Sequence, residues 1–175
     1  MREFLRRAGD IAIRRSGRMK HRSTYEVRIT RAVRGAPNVA ARLRQAVRAA
    51  LRRHEVASAR ISLVLVDDTA MARLNRDHLG HEGPTDVLSF DLRDEVNGKT
   101  AIDGEIVLSL DVAARQAWQR GHGVEAELAL YAVHGTLHLL GYNDRRKADA
   151  ARMHVIEDEI LSSIGVGRVY AESRP

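Results

Sequence analysis

The spacing of apolar residues divides the first third of the chain into two strands and a helix. Tyr25–Thr30 alternates apolar with polar positions, which predicts a half-buried strand. From Val39 to Leu51 the apolar residues recur at helical spacing with arginines on the other face, and Pro37-Asn38 predicts a stop and an N-cap before that helix. Ile61–Val66 is rich in β-branched residues and leucine, which predicts a central strand covered on both faces.

The rest of the chain continues the succession of predicted strands and helices. The predicted elements are, in chain order, a helix from Asp67-Asp68 to about Leu79, a loop over Gly80–Asp86, strands over Val87–Phe90 and Glu105–Leu108, and helices over Asp111–Arg120, Val124–Leu140 and Arg145–Ile164. Asn97-Gly98, between the two strands, is a hairpin-type turn signal, and Gly141 stops the second of the three helices. The pattern predicts an α+β fold: one small domain over 25–164, with a mixed sheet of about four strands, packed helices and a loose tail over 165–175.

Composition limits the classes of protein that the chain can form. Its 175 residues suit one domain, and the absence of cysteine excludes a disulfide partner and thiolate metal ligands. Any metal must therefore be held by His, Asp or Glu. No apolar run approaches the roughly 20 residues of a membrane helix, and the N-terminus lacks the apolar stretch of a signal peptide. We therefore expect a cytoplasmic protein without a membrane partner.

The first 24 residues differ from the rest in charge and pattern. They hold eight basic and two acidic residues without a clear helical or strand period, so we predict a basic arm over 1–24, outside the folded domain. Three interpretations stay open: a nucleic-acid-binding tail, an organelle-type targeting peptide, or upstream sequence that precedes a true start at Met19. The strand predicted from Tyr25 onward makes the third attractive.

The charge of the remaining chain is unevenly distributed. The whole chain carries a net charge of +6, which equals that of the arm, so the rest is neutral. Residues 25–60 nevertheless hold nine arginines against two acids. We predict that this segment contacts phosphate groups, although a solvated helix surface explains the same charge equally well. The candidate contacts are Arg42, Arg44, Arg48, Arg52 and Arg53.

The segment from His134 to Asp144 predicts a metal site. His134 and His138 are four residues apart, so on a helix both imidazoles project from one face. Gly141 permits a sharp left-handed turn that can bring Asp144 back toward the same ion. Three protein ligands leave a position for water, as in catalytic zinc sites. Asp144 has another interpretation, as the N-cap of the following helix, although Asn143 could serve there instead.

The spacing also matches the zinc-protease signature H-E-x-x-H-x-x-G-x-x-H at all but two positions. Gly135 stands where a protease carries its general-base Glu, and Asp144 stands where it usually carries the third His. The missing Glu argues against peptide hydrolysis by that mechanism. We also expect Gly135 to leave room beside the metal for a bulky substrate.

A second unusual segment is Pro84–Phe90. A strand entered through Pro-Thr-Asp, with Ser89 on one side and Phe90 on the other, is a candidate substrate shelf on which Thr85 and Ser89 contact substrate. On physical grounds alone, an edge strand with a turn explains the segment equally well.

Five segments together closely resemble the bacterial YbeY family, in order and with matching gaps. They are Leu74-Asn75, Pro84–Phe90, Gly104–Ser109, Gly121-His122 and His134–Tyr142, and the resemblance covers about Tyr25 to Ile164. Members are metal-dependent endoribonucleases of ribosomal RNA maturation and ribosome quality control. The resemblance therefore implies one zinc ion per chain, a ribosomal RNA precursor as substrate, and ribosomal small-subunit components as partners. The implied fold is a small α+β domain with a metal helix like that of zinc proteases.

Two positions depart from the family pattern. The family usually has a third His where this chain has Asp144, so the resemblance implies a different ligand set, with a carboxylate in place of an imidazole. It also has a Tyr-Arg pair where this chain has His78-Leu79, and that Arg is thought to matter for RNA cleavage. Leu79 cannot contact phosphate in the same way. Arg76, Arg73 and His81 are the nearby residues predicted to compensate.

The resemblance implies phosphodiester cleavage of single-strand-type RNA at the metal, with water or the 2′-hydroxyl as nucleophile. His134 is then both a ligand and a catalytic residue. The candidate general bases are Glu105, Asp86, His78 and His81, each equally explained as a surface or capping residue. Two other functions stay open: a zinc peptidase, and a ribosome-associated RNA-binding factor whose metal is structural.

Overall fold

The computed structural model describes residues 23–93 and 101–170. Its elements, in chain order, are β1 (Thr24–Arg31), α1 (Ala40–Arg53), β2 (Ser58–Val66), α2 (Asp68–Leu79), β3 (Val87–Asp91), β4 (Ala101–Ser109), α3 (Leu110–Arg120), α4 (Val124–Leu139) and α5 (Lys147–Ser163). Residues 1–22 of the predicted arm over 1–24 and the predicted turn at Asn97-Gly98 lie outside the described residues, whereas Thr24 already belongs to β1. No helix in the described ranges combines the length and the apolar character that a membrane crossing requires.

The described strands form one mixed sheet in the order β1-β2-β4-β3. β1, β2 and β4 are parallel, whereas β3 pairs antiparallel with β4 at the edge. This confirms the predicted α+β fold with its four-stranded mixed sheet. The register sets Ser89 of β3 opposite Ile106 of β4, and Phe90 opposite Glu105. These two pairs face opposite sides of the sheet because side chains alternate along a strand.

Helices cover the two faces of the sheet unequally. α1 and α4 pack on one face, where Ile61 and Ile106 are buried, and α5 packs on both helices from outside. α2 packs on the other face through Met71, which meets Val107. α3 lies beside α4. The core on the α4 side is far larger, and it holds the helix that carries the predicted metal ligands in a fixed position.

Of two N-caps predicted from the sequence, the structure confirms one and contradicts the other. Asp67 is the N-cap of α2, and its Oδ1 accepts from the backbone N–H of Ala70 at 2.8 Å, as predicted. The predicted cap at Asn38 is wrong, because the N-cap of α1 is Val39, which has no side-chain hydrogen bond. Val39 is instead buried in the core, so apolar packing determines where this helix starts.

The C-terminal segment also differs from the prediction. Beyond α5 the chain turns at Gly165, where φ is +77°, and Val169 is only 8% exposed. The backbone N–H groups of Val169 and Tyr170 donate to Asp158 Oδ1 at 2.9 and 3.3 Å. The prediction of a loose tail is therefore wrong for residues 165–170, and residues 171–175 lie outside the described part of the chain.

Candidate metal centre

The C-terminal half of α4 presents two imidazoles side by side. His134 and His138 lie one turn apart on this helix, with ring centroids 4.5 Å apart and their Nε2 atoms 2.9 Å apart. The residues between them are buried, whereas the His134 and His138 side chains are 18% and 31% exposed. The core therefore fixes the rotation of the helix, and this rotation directs both rings toward the rim of the domain.

Asp144 completes the group as predicted. α4 ends at Leu139, and Gly141 takes a φ of +93°, which lets the chain reverse without the steric cost that a Cβ would bring. Asp144 Oδ2 then lies 3.7 Å from His134 Nε2 and 3.9 Å from His138 Nε2. Among the described residues these three form a group with the spacing that one metal ion requires.

The donor atoms fit a small divalent cation. Tetrahedral zinc with ligands at about 2.0–2.1 Å has donor atoms roughly 3.4 Å apart. The three distances here, 2.9, 3.7 and 3.9 Å, lie on both sides of that value. Asp144 is 42% exposed at its side chain, so the group is open to solvent on one side. Such a group can hold an ion and still admit water or substrate.

A buried acid orients the first histidine. His134 Nδ1 donates to Glu157 Oε1 at 2.7 Å, and the Glu157 side chain on α5 is completely buried. Burial lowers the pKa of His134, but the hydrogen bond that His134 donates to Glu157 and the charges of Glu157, Asp86 and Asp144 outweigh it, so the pKa is raised overall. A carboxylate acceptor on Nδ1 leaves the Nε2 lone pair directed at the ion, as in the carboxylate–histidine–metal arrangement.

A backbone carbonyl orients the second histidine. His138 Nδ1 lies 3.0 Å from the carbonyl oxygen of Tyr142, which can only accept, so Nδ1 carries the proton. Both Nε2 atoms therefore present lone pairs to one another across 2.9 Å. A shared proton or a bound cation relieves this repulsion, which is the strongest indication that the cluster binds a metal. Tyr142 is itself held by α1, since its hydroxyl lies 2.9 Å from His54 Nε2.

Gly135 has a packing role that the sequence did not predict. A Cβ at this position would lie 2.7 Å from Ile106 Cγ2 and 2.8 Å from Ser89 Oγ. The glycine therefore lets α4 approach the sheet closely, and the prediction that it leaves room for substrate is wrong. A protease-type Glu has no space here. Ser89 lies in the same interface between β3 and α4, and its predicted contact with substrate stays a prediction.

Glu105 is on the wrong face of the sheet for the predicted role. Its neighbours on β4 both face α4: a Cβ on Gly104 would meet Leu139, and Ile106 meets Gly135. Side chains alternate along a strand, so Glu105 points to the opposite face. The sheet therefore separates it from the histidines, and the prediction of Glu105 as a general base is wrong.

His78 also lies on the face of the sheet opposite to the candidate metal centre. Its ring packs edge-to-face on Phe90, with centroids 4.9 Å apart, and Phe90 lies opposite Glu105 in the register. His78 is exposed near the end of α2, on the far side of the sheet from α4. The predicted catalytic role of His78 is therefore wrong.

Asp86 remains a candidate base. Its charge contributes to the raised pKa of His134, so the Asp86 carboxylate interacts electrostatically with the metal centre. Asp86 Oδ1 accepts from the Thr85 hydroxyl at 3.0 Å and from the Val87 N–H at 2.9 Å. The loop before it is tied down by Asn75, whose Nδ2 donates to the Gly83 carbonyl at 2.8 Å. Thr85 therefore orients Asp86, and whether Thr85 also binds substrate stays a prediction.

The predicted phosphate contacts on α1 divide into two groups. Arg42 bonds Glu125 and the Ile164 carbonyl, and Arg53 pairs with Glu159, so both are used to hold α1 against the other helices. Arg48 and Arg52 are exposed beside Arg44 in a shallow depression of about 390 Å³. Arg44 donates to the Val27 carbonyl at 3.3 Å, so Arg48 and Arg52 are the two predicted arginines that stay exposed without such a bond to the described residues.

On α2, the residues named as substitutes for the family arginine are all at the surface. Arg73 and Arg76 are exposed, and Arg76 Nε lies 3.9 Å from Asp77 Oδ1. Leu79, which occupies the position of that arginine, is 55% exposed at the end of α2. Whether Arg73, Arg76 or the exposed His81 compensates stays a prediction.

Two buried glutamates were missed by the sequence reasoning. Besides Glu157, Glu127 on α4 is fully buried, with Arg120 Nη1 at 2.7 Å and His122 Nε2 at 3.0 Å. Both glutamates occupy positions that helical spacing assigns to the core: Glu157, for example, falls between Met153 and Leu161 on the same stripe. A charge on an apolar stripe was the available signal, because such a group needs a buried partner.

The fold and the site together define the class of protein: a small α+β domain with a candidate mononuclear metal centre on one helix. Residues 25–165 match the family described as Endoribonuclease YbeY. The Endoribonuclease YbeY of Anaeromyxobacter sp. (strain Fw109-5) is 45% identical over 139 residues, 79% of this chain and 72% of that protein. The Endoribonuclease YbeY of Desulfitobacterium hafniense (strain Y51) is 44% identical over 121 residues, 65% of this chain and 77% of that protein.

The fold is similar to that of a solved structure. The solution structure of TM1509 from Thermotoga maritima matches with a TM-score of 0.53 and 24% identity, covering 85% of this chain and 99% of its own. At that identity the likeness shows the fold alone. The match to the family over 25–165 is decisive: the chain belongs to the endoribonuclease YbeY family.

Proposed function

We propose that this protein is a zinc-dependent endoribonuclease that acts on ribosomal RNA precursors in the cytoplasm, in maturation and quality control of the ribosome. His134, His138 and Asp144 would hold one ion per chain. The observation that carries the proposal is the pair of Nε2 atoms 2.9 Å apart, each on a ring whose Nδ1 is already committed to an acceptor. Family membership supports the ribonuclease activity.

The residues around the centre have separate roles in this proposal. A bound zinc ion supplies Lewis acidity for phosphodiester cleavage. Asp86 accepts the proton of the attacking hydroxyl group, because among the predicted general bases it is the one whose charge acts on His134. Glu157 keeps the His134 ring in the tautomer that leaves Nε2 free.

Substrate binding is assigned to α1. Arg48 and Arg52 are exposed on one face of this helix, four residues apart, where they can contact successive phosphates. The end of α1 is joined to the metal loop, since His54 Nε2 lies 2.9 Å from the Tyr142 hydroxyl. RNA bound along α1 would therefore be led toward Asp144. Small-subunit ribosomal components are the partners that this substrate implies.

The test is cleavage of a structured ribosomal RNA precursor by protein stripped with chelator and then resupplied with zinc. Activity should disappear on stripping and return with zinc. His138→Ala should abolish both zinc binding and cleavage, whereas His81→Ala, at an exposed histidine outside the cluster, should bind zinc as the wild type does. Full metal retention by His138→Ala would refute the ligand assignment.

A second function, a ribosome-associated RNA-binding factor with a structural metal, is favoured by one observation. Leu79 stands at the position of the family arginine and offers no phosphate contact. The solvent exposure of Asp144 favours a catalytic metal site instead, because structural zinc sites are closed by four protein ligands. Tight RNA binding with zinc bound and no cleavage would favour the binding factor. A peptidase is disfavoured, since packing at Gly135 excludes the general-base Glu.

A further inference from the structure

The segment Val166–Tyr170 lies past the end of the family match and folds back onto α5. Val169 is buried in the main core, and Val166 packs against the same core. Asp158 accepts hydrogen bonds from the backbone N–H groups of Val169 and Tyr170. Two apolar anchors and two backbone hydrogen bonds give this short segment a defined position. Its last described residue, Tyr170, is consequently held in place.

Two side chains, His154 and Arg120, hold the Tyr170 ring in place. It stacks on His154 of α5, with ring centroids 3.9 Å apart and planes 17° from parallel. The Arg120 guanidinium carbon lies over the ring, 5.7 Å from its centroid. His154 precedes Glu157 by three residues, so both side chains lie on one face of the helix. The stack therefore places the Tyr170 ring on the face of α5 that carries Glu157, the buried residue that orients His134.

Glu157 has one oxygen left for such a group. Its Oε1 accepts from His134, while its Oε2 is buried and has no hydrogen-bond partner of good geometry among the described residues. An unsatisfied buried carboxylate oxygen is costly, so a nearby donor is expected to use it. Burial raises the pKa of Tyr170, and the charge of Glu157 and the contact between the two side chains raise it further. The phenol is therefore neutral and available as a donor.

We infer that Tyr170 is a positioning residue of the metal centre: its hydroxyl donates to Glu157 Oε2 and thereby holds the His134 imidazole with Nε2 toward the ion. The inference rests on the proposed metal site. The Tyr170 hydroxyl then closes a chain of contacts from the C-terminal segment to a metal ligand. This segment is consequently part of the site, although it follows the family domain in sequence.

The test is the zinc affinity of Tyr170→Phe, which keeps the ring and its stacking on His154 but removes the hydroxyl. We expect the zinc dissociation constant, measured by competition with a chromophoric chelator, to rise about 10-fold, the lower end of the range for partners outside the ligand shell. The visible spectrum of the cobalt(II)-substituted protein should also shift. The matched control is Tyr25→Phe, which removes a hydroxyl that donates to the Val56 carbonyl at 2.7 Å, outside the metal cluster.

A second comparison tests whether Tyr170 acts through Glu157. Glu157→Gln should itself weaken zinc binding, and adding Tyr170→Phe to it should cause little further loss, because the hydroxyl has lost its carboxylate. Equal effects of Tyr170→Phe in the presence and absence of Glu157 would show independent action and overturn the inference.

The remaining outcomes separate this inference from the proposed function. Zinc affinity and a cobalt spectrum unchanged in Tyr170→Phe, with wild-type protein binding zinc, would overturn the role of Tyr170 and leave the metal site intact. An equal loss of affinity in Tyr25→Phe would show a general effect on stability and would also overturn it. A wild-type protein that binds neither zinc nor cobalt would refute both proposals.

Discussion

Glu157 on α5 accepts a 2.7 Å hydrogen bond from Nδ1 of His134 on α4, although its side chain is entirely buried. The two residues are 23 positions apart, and the packing of α5 on α4 brings them together. A buried carboxylate is stable only when it is paired, and here the partner is a residue that also faces the candidate ion. This pair therefore joins folding stability to metal binding.

The pair predicts how the stability of the metal-free protein depends on pH. The pKa of His134 is raised in the folded state, so its contribution is fully present below the unfolded pKa and is lost as pH rises through the folded pKa. Glu157→Gln removes the partner. We expect the difference in thermal midpoint between wild type and Glu157→Gln, without metal, to be largest near pH 5.5 and to shrink toward pH 8.5, at values chosen around the ordinary histidine pKa of about 6.5. A difference that grows with pH would contradict this linkage.

Gly135→Ala tests the close packing of α4 on the sheet. The added methyl group would lie 2.7 Å from Ile106 Cγ2, in the middle of a packed interface. We expect a loss of about 1–3 kcal/mol in the free energy of unfolding, measured by denaturant titration. The matched control is Gly123→Ala at the start of the same helix, where nothing lies within 4 Å of the added Cβ and φ is negative. Equal stability of the two variants would refute the packing argument.

Leu79→Arg tests whether the departure from the family pattern weakens RNA binding. Leu79 is 55% exposed, so an arginine can replace it without disturbing the core. We expect tighter binding of single-stranded RNA and a salt dependence steeper by roughly 0.7 in log–log slope, for one added phosphate contact. Val155→Arg adds the same charge at a side chain of similar exposure on α5, and it should have a smaller effect. Equal gains from both variants would mean that only net charge matters.

The double variant Arg48→Gln, Arg52→Gln tests the proposed RNA surface on α1. Loss of two phosphate contacts should weaken RNA binding and flatten the salt dependence by roughly 1.4 in log–log slope for single-stranded RNA. Arg28→Gln with Arg60→Gln removes two exposed arginines from the opposite face of the sheet, where each pairs with an acid. Binding should be nearly unchanged in that control. If the control variant loses as much RNA affinity as the α1 variant, the arginines of α1 are not a specific RNA-binding surface.

The sequence predicted those parts of the site that depend on neighbours along the chain. Helical spacing was enough to put His134 and His138 on one face, and Gly141 was enough to predict the return of Asp144. Glu157 could not be assigned in this way, because its contact with His134 depends on how two helices pack. Its position on the apolar stripe of α5, between Met153 and Leu161, is the one signal of its burial that the sequence carries.

The wrong predictions have a common physical origin. Glu105 lies within a family segment and His78 lies close to one, but strand alternation and the register of β3 with β4 decide which face they occupy. Asn38 has the chemistry of a cap, yet burial of Val39 fixes the start of α1 one residue later. In each case tertiary packing overrode a local preference. The strands and helices themselves were predicted well because their apolar periods are strong.

The contact of Gly135 with Ile106 and Ser89 also bears on evolution. Zinc proteases and this protein place a histidine pair on a helix at the same spacing. The shared spacing alone would suggest that a single change of Gly135 to the protease glutamate converts one enzyme into the other. Here that glutamate would point into the sheet, where two other side chains already fill the space. A lineage that exchanged one chemistry for the other would have to change the packing of Ser89 and Ile106 together with Gly135, so a single substitution does not separate the two activities.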